Sequence, residues 1–245
     1  MDEKQFSYPL KSGIAMFNEH GFLKPSGYQE LYMQGVEPHL KNIEMDEPRL
    51  IREFGAAWVL IAMTVEPRRP IRPDDSLTMR TWNSTDRRLL FRREFELLDA
   101  AGEQVLVGES FSTLLMLETR RVCMDRELLE RFRLPAGERL LEAPDRIRLK
   151  TPETEPVEHI TARPSWTDGV GHVNNFRYGE MTYDALTDAQ RGQMEKLRRM
   201  ELFFNAETHA GDALALYRLE DDEAVTVAVC QEGEPRPAFA ARLLF

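Results

Sequence analysis

The feature that most constrains this chain is that it writes one short structural grammar twice. In each half a brief strand-like run leads to a single helix, and a series of β-rich segments separated by turns follows. In the first half the opening run covers 6–16. The helix follows Phe22-Leu-Lys-Pro-Ser26, with Tyr28, Leu31, Tyr32, Gly35 and Val36 at helical spacing. Ser26 with Gln29 reads as a capping box and Pro38 as the helix end. Strands are predicted over 56–65, 76–82, 89–98 and 104–117, with turn signals at 67–75 and 99–102. In the second half a short strand is predicted over 159–163 and a helix over 175–186. Strands over 200–206, 213–219, 224–230 and 238–245 complete it.

A helix followed by a meander cannot bury both faces of its sheet alone, so two copies are expected to share a core. The expected fold is therefore α+β, with each half a long helix wrapped by a curved antiparallel sheet. The halves are expected at 1–133 and 158–245. Between them, 134–157 carries Pro135, Pro144, Pro152 and Pro156 without sustained periodicity and reads as a linker that packs in part along the surface.

Charge and cysteine content narrow the function classes. A net charge of −10 argues against general nucleic-acid binding, which needs a basic surface. Arginines nevertheless cluster at Arg68, Arg69 and Arg72, at Arg87, Arg88, Arg92 and Arg93, and at Arg120 and Arg121. Such groups serve either as solvated faces or as a patch for an acidic carrier or a phosphorylated arm. No apolar run approaches the roughly 20 residues of a membrane span, and the first residues lack the pattern of a secretory signal. Cys123 and Cys230 are too few for a disulfide framework and read as reduced core thiols, so a cytoplasmic location is expected. Scattered histidines and the lack of a phosphate loop lead to an expectation of no metal and no cofactor.

The chemistry-bearing stretch is Ser165-Trp-Thr-Asp168-Gly-Val-Gly-His172-Val-Asn-Asn175-Phe-Arg-Tyr178, a strand-to-helix connection with glycines at 169 and 171. Glycine there admits a left-handed backbone and a close ligand approach. The helix start offers unpaired N–H groups and a positive dipole end suited to an oxyanion. Asn174 or Asn175 is a natural N-cap, Asp168 an ordinary turn residue, and His172 is set apart from His20, His39, His159 and His209 only by its neighbours.

Asp168-x-x-x-His172-Val-Asn-Asn-x-x-Tyr178 resembles the signature of acyl-acyl carrier protein (ACP) thioesterases, a fused double hot-dog family. Ala57-Trp-Val-Leu60, Thr81-Trp82, Phe91-Arg-Arg-Glu-Phe95 and Glu118-Thr-Arg-Arg121 are similar to that family's first-half framework. Phe17-Asn-Glu-His-Gly21 is similar to its catalytic loop in a copy that has lost the chemistry. Downstream, Met200-Glu-Leu-Phe-Phe-Asn-Ala-Glu207 resembles the family strand ending in a catalytic Glu. The resemblance implies Asp168, His172 and Glu207 as the catalytic set, with Asn174, Asn175 and Thr208 in support. It also implies an acyl channel in the first half, for which Tyr28, Leu31, Tyr32, Trp58 and Met63 are the candidates. The partner implied is an acyl carrier protein bearing a fatty acyl group, in fatty acid biosynthesis, and the protein itself is expected to be a monomeric pseudo-dimer or a homodimer.

Two departures stand out. The family's Asn two residues after the Asp is Val170 here, which cannot hydrogen-bond through its side chain. Some relatives carry Cys after the Glu, where this chain has Thr208, so a thiol nucleophile is excluded at that point. The expected mechanism is water activation by Glu207 with His172, Asp168 holding or polarising the reacting group, and helix N–H groups receiving the carbonyl oxygen. Covalent attack by Asp168 is the variant. The alternatives are an acyl-CoA thioesterase of the same fold, a non-catalytic acyl-thioester-binding protein, which Val170 favours, and a hot-dog dehydratase.

Overall fold

The structure is a computed structural model that describes residues 6–84 and 89–245. Arg87 and Arg88 of the second arginine cluster, and residues 1–5, whose sequence lacks a signal pattern, lie outside the described residues.

The first half runs β1 (Phe6–Leu10), α1 (Pro25–Asn42), α2 (Glu47–Phe54), β2 (Ala56–Pro67), β3 (Leu77–Asn83), β4 (Phe91–Leu98), β5 (Gln104–Met116), β6 (Arg121–Val122) and α3 (Arg126–Arg131). The second runs β7 (Glu158–Thr161), α4 (Asn175–Asp184), α5 (Asp188–Gly192), β8 (Arg199–Phe204), β9 (Ala213–Glu220), β10 (Ala224–Gln231) and β11 (Phe239–Leu244). All strands belong to one antiparallel sheet in the order β1-β3-β4-β5-β2-β8-β11-β10-β9-β7, with β6 beside β5. The order is a palindrome of two five-strand units. They meet where β2 pairs β8, from Ala62 opposite Phe203 to Val65 opposite Met200. This is the α+β double hot-dog. Next to the seam β2 carries a bulge between Leu60 and Ala62, which bends the strand as it changes neighbours.

Alternation sorts the strand side chains. In β4, Phe95 turns inward against Tyr32 of α1 with ring centroids 5.0 Å apart, while Glu94 and Glu96 face the other way. The core lies between the two helices and the sheet, with Leu31, Val36, Tyr178 and Met181 packed over Met63, Val65, Met200, Leu202, Val227 and Phe239. The helices touch each other at Gly179. A Cβ there would stand 2.0 Å from Gln29 Oε1 and 2.7 Å from the Ser26 backbone nitrogen, so only glycine allows this approach.

Several local expectations change. Helix α1 begins at Pro25, whose fixed φ suits the first helical position, and Lys24 is the residue before it; Ser26 is inside the helix and caps nothing. Pro38 does not end α1. It forfeits one backbone bond, but Val36 and His39 beside it are buried, and that packing carries the helix on to Asn42. The long helix holds for the first half only: α1 has 18 residues and α4 has 10. Thr187 starts a new helix, α5, with its own capping box. Two short helices, α2 and α3, lie outside the predicted elements and are capped by the side chains of Asp46 and Asp125. The opening run divides into β1 and a 3₁₀ turn, Ile14–Met16.

Residues 134–157 have no helix or strand, yet they are held to the outer face of the sheet. Trp82 Nε1 donates to the Glu138 carbonyl (2.7 Å) and the Leu140 N–H to Glu94 (3.1 Å). Arg199 donates to the Glu142 carbonyl (3.1 Å), and Ile147 packs with Phe111 and Phe203. Burial pushes the Glu109 carboxyl beneath this segment up to about 8 despite Arg92 alongside. No helix among the described residues is long and apolar enough to cross a membrane.

Candidate active site at the junction of the halves

The turn 167–173 leads from a 3₁₀ turn, Pro164–Trp166, into α4. Thr167 and Val173 form a bridge, the Asp168 N–H donates to the His172 carbonyl (2.9 Å), and the Gly171 N–H to the Asp168 carbonyl (3.0 Å). Gly171 takes the left-handed backbone (φ 85) that the closure requires. Asp168 Oδ1 accepts the Val170 N–H (3.0 Å), an Asx turn. The first half builds the same turn: Phe17 bridges Leu23, the Asn18 N–H donates to the Phe22 carbonyl, and Gly21 has φ 74. Asn18 stands where Asp168 does and Phe22 where His172 does, so the two ionisable groups of the second turn are missing from the first.

Glu207 lies just beyond β8. Its flanks are anchored: the Val173 N–H donates to the Thr208 carbonyl (2.8 Å), the Thr208 hydroxyl bonds Tyr178 (2.7 Å), and the Asn205 N–H donates to the Ala238 carbonyl (2.8 Å). These ties bring the Glu207 carboxylate to His172, with Nε2 and Oε2 3.4 Å apart. A third side chain enters from the first half. Arg120, in the turn between β5 and β6, places Nη2 against both His172 Nε2 and the Glu207 carboxylate. The His209 ring stands edge-on to His172 with centroids 5.1 Å apart.

Burial holds the His172 imidazole below the usual histidine value. Arg120 and His209 push it the same way, while Glu207 and Asp168 oppose them. Burial, with a smaller push from the Asp168 charge, raises the carboxyl of Glu47, which sits near Asp168 at the first turn of α2.

These groups open onto a cavity of about 690 Å³. Asp168, His172, Glu207 and Arg120 all line it, as do Val170, Asn174 and Asn175. Its apolar walls come largely from the first half, among them Val36, Leu40, Trp58, Leu60, Phe91 and Leu115.

Of the predicted site residues, His172 and Glu207 are in contact. Asp168 shares the cavity, but its carboxylate is exposed and engaged by the Val170 backbone. Asn174 is the N-cap of α4: its side chain accepts the Phe176 N–H (3.0 Å) and its carbonyl the Arg177 N–H (2.9 Å), which removes those two donors from the expected oxyanion cradle. Thr208 is fully buried and does not line the cavity. Of the expected channel residues, Tyr32 and Trp58 line it. Tyr28, Leu31 and Met63 do not; their spacing placed them on the helix or strand face that fills the core instead. Among the described residues the arginines do not form one basic surface. Arg69 pairs with Asp75 and Asp99, Arg72 with Glu195, and Arg92 is buried with Glu94 and Glu109. The sequence marks Arg120 as a member of that cluster and of the framework-like Glu118-Thr-Arg-Arg121; its site contact has no short-range signal.

His172, Glu207 and His209 each offer a ligand atom, all within 4.8 Å of one another. Arg120 already puts a positive charge against two of the three, which works against a cation at that point.

Residues 29–132 match the family described as acyl-ACP thioesterase N-terminal domain. No curated protein matches the chain. Among solved structures, an acyl-ACP thioesterase from Bacteroides thetaiotaomicron is similar at 23% identity, with 100% of each chain covered and a TM-score of 0.85. A 12:0-ACP thioesterase from Umbellularia californica is similar at 16% identity, covering 98% of this chain and 96% of its own, with a TM-score of 0.80. With that family's N-terminal domain matched in its first half and the fold of these two structures over its whole length, the chain is similar to the acyl-ACP thioesterases, which indicates a thioester hydrolase.

Proposed function

We propose that the protein hydrolyses fatty acyl-ACP to free fatty acid and carrier thiol, in the cytoplasm, with His172 and Glu207 as the water-activating pair and Asp168 beside them. The observation that carries this reading is the meeting of His172 and Glu207, 3.4 Å apart at the opening of an apolar cavity, although 35 positions separate them in the chain. On this reading 1–133 supplies the acyl channel, 158–245 supplies the chemistry, and 134–157 joins them.

The acyl chain enters the cavity because each buried methylene contributes roughly 0.8 kcal/mol. The thioester carbonyl then lies at the opening, beside the His172–Glu207 pair. A water between the pair and the carbonyl carbon gives its proton to the pair as its oxygen adds. The tetrahedral intermediate then collapses, breaking the C–S bond and expelling the carrier thiolate. The conjugate acid of that thiolate has a pKa near about 8.5, so the leaving group needs little protonation. His172, held neutral at pH 7 by its burial, is in the form that accepts a proton.

The test is turnover of a long-chain acyl-ACP by His172→Ala, Glu207→Ala and Asp168→Asn, with folding checked by circular dichroism. Losses of about 10²–10⁴-fold are expected for the first two. Near wild-type turnover by either would remove that residue from the mechanism. The same acyl group on CoA, assayed in parallel, separates a carrier-protein substrate from a CoA thioester.

A further inference from the structure

Arg120 ends the turn 117–120 of the β5–β6 hairpin with a left-handed backbone, φ 54. Among the described residues only Glu44 and Arg120 adopt this conformation with a side chain. It is uncommon for a residue with a Cβ and persists where the surroundings hold it, which is often at functional sites. Burial does not explain it, because the Arg120 side chain is 40% exposed. The side chain leaves its own half and ends between His172, 52 positions away, and Glu207, 87 positions away, with the same nitrogen against both.

A guanidinium can only donate, so the His172 nitrogen it meets is an unprotonated acceptor. That assigns the imidazole proton to Nδ1 and leaves Nε2 as the basic atom, facing Glu207. The same guanidinium fixes one Glu207 oxygen by a charge-assisted contact. The other titratable groups around His172 are Asp168 on its own turn and His209, whose imidazole lies 4.0 Å from Asp212; Glu47 of α2 faces Asp168.

We propose that Arg120 is a positioning residue of this site, contributed by the opposite half of the chain, which aligns the Glu207 carboxylate and fixes the His172 tautomer with Nε2 as its basic atom. This rests on the reading of His172 and Glu207 as the reacting pair. Water entering with the substrate takes over the Arg120 contact at Nε2, while the contact to Glu207 keeps the carboxylate in place.

The experiment measures kcat, KM and the pH dependence of kcat/KM for Arg120→Ala, Arg120→Gln and Arg120→Lys on a long-chain acyl-ACP, with melting temperature as the folding control. Arg120→Ala and Arg120→Gln are expected to lose about 10–100-fold in kcat with KM within about threefold. Their acid limb moves to higher pH, because the cation opposing protonation of His172 is gone. Arg120→Lys recovers part of the rate and part of the limb. A folded Arg120→Ala with wild-type kcat and an unmoved limb overturns the proposal, and so does an effect confined to KM, which would make Arg120 a carrier-docking residue. If Arg120→Ala does not fold, the Gln and Lys variants carry the same criteria. Should His172→Ala and Glu207→Ala retain turnover, the underlying reading fails whatever Arg120 does.

Discussion

His172 shows how far a single residue could be read. Its motif neighbours marked it out; that Phe22 occupies the same place in the first-half turn emerged only from the structure. Its electrostatic setting could not be read, because it is made by burial and by Arg120, Glu207 and His209, which the sequence disperses. That setting has a measurable sign. Burial disfavours the charged imidazole and lowers its folded-state value, so the neutral base persists below the ordinary histidine pKa of about 6.5. The kcat/KM of the wild-type enzyme is therefore expected to stay flat from pH 7 down through about 6.5 and to fall only below it. An acid limb centred above 7 would mean that His172 titrates in an unburied setting or is not the base. Asp168 and Val170 were legible as positions but not as contacts: Asp168 spends its Oδ1 on the Val170 N–H, and the Val170 side chain faces the cavity opening half-exposed.

At the scale of elements, the strands were legible because alternation and turn residues survive in any tertiary setting. The helix ends were not, because packing decided them. Pro38 should have ended α1 by local chemistry, yet the buried residues around it hold the helix against the sheet. Helices α2 and α3 are only eight and six residues long, below the length at which propensity alone stabilises a helix. The α1–α4 contact provides a test of packing against propensity. Alanine is normally about 1 kcal/mol better than glycine inside a helix. At Gly179 the added Cβ would meet Gln29 and the Ser26 backbone, and backbone cannot step aside cheaply. Gly179→Ala is therefore expected to destabilise by about 1–3 kcal/mol, read as a lower urea midpoint at unchanged slope. A midpoint at or above wild type would mean that the helices separate freely at this point.

Over the whole molecule, the repeated strand-and-helix grammar gives the sheet its palindromic order. Pairing of β2 with β8 makes one continuous surface, so a cavity walled mainly by the first half opens at a turn of the second. On the proposed assignment the two functions are separable by mutation: narrowing the cavity should change which chain is accepted and leave the proposed water-activating pair intact. Val36 on α1 is buried, lines the cavity, and lies in the first half, whereas His172 and Glu207 lie in the second. Val36→Phe is expected to move the preference toward shorter acyl chains. In a pocket of this kind one methylene changes kcat/KM by about 10–200-fold, so the longest accepted substrate should lose at least tenfold while the shortest stays within a few-fold. The measurement is kcat/KM over a panel of saturated acyl-ACPs of increasing length, with a thermal melt to show that overpacking costs no more than about 1–3 kcal/mol. A uniform loss at every length would locate the damage at the reacting groups, and an unchanged profile would place the acyl chain outside this cavity.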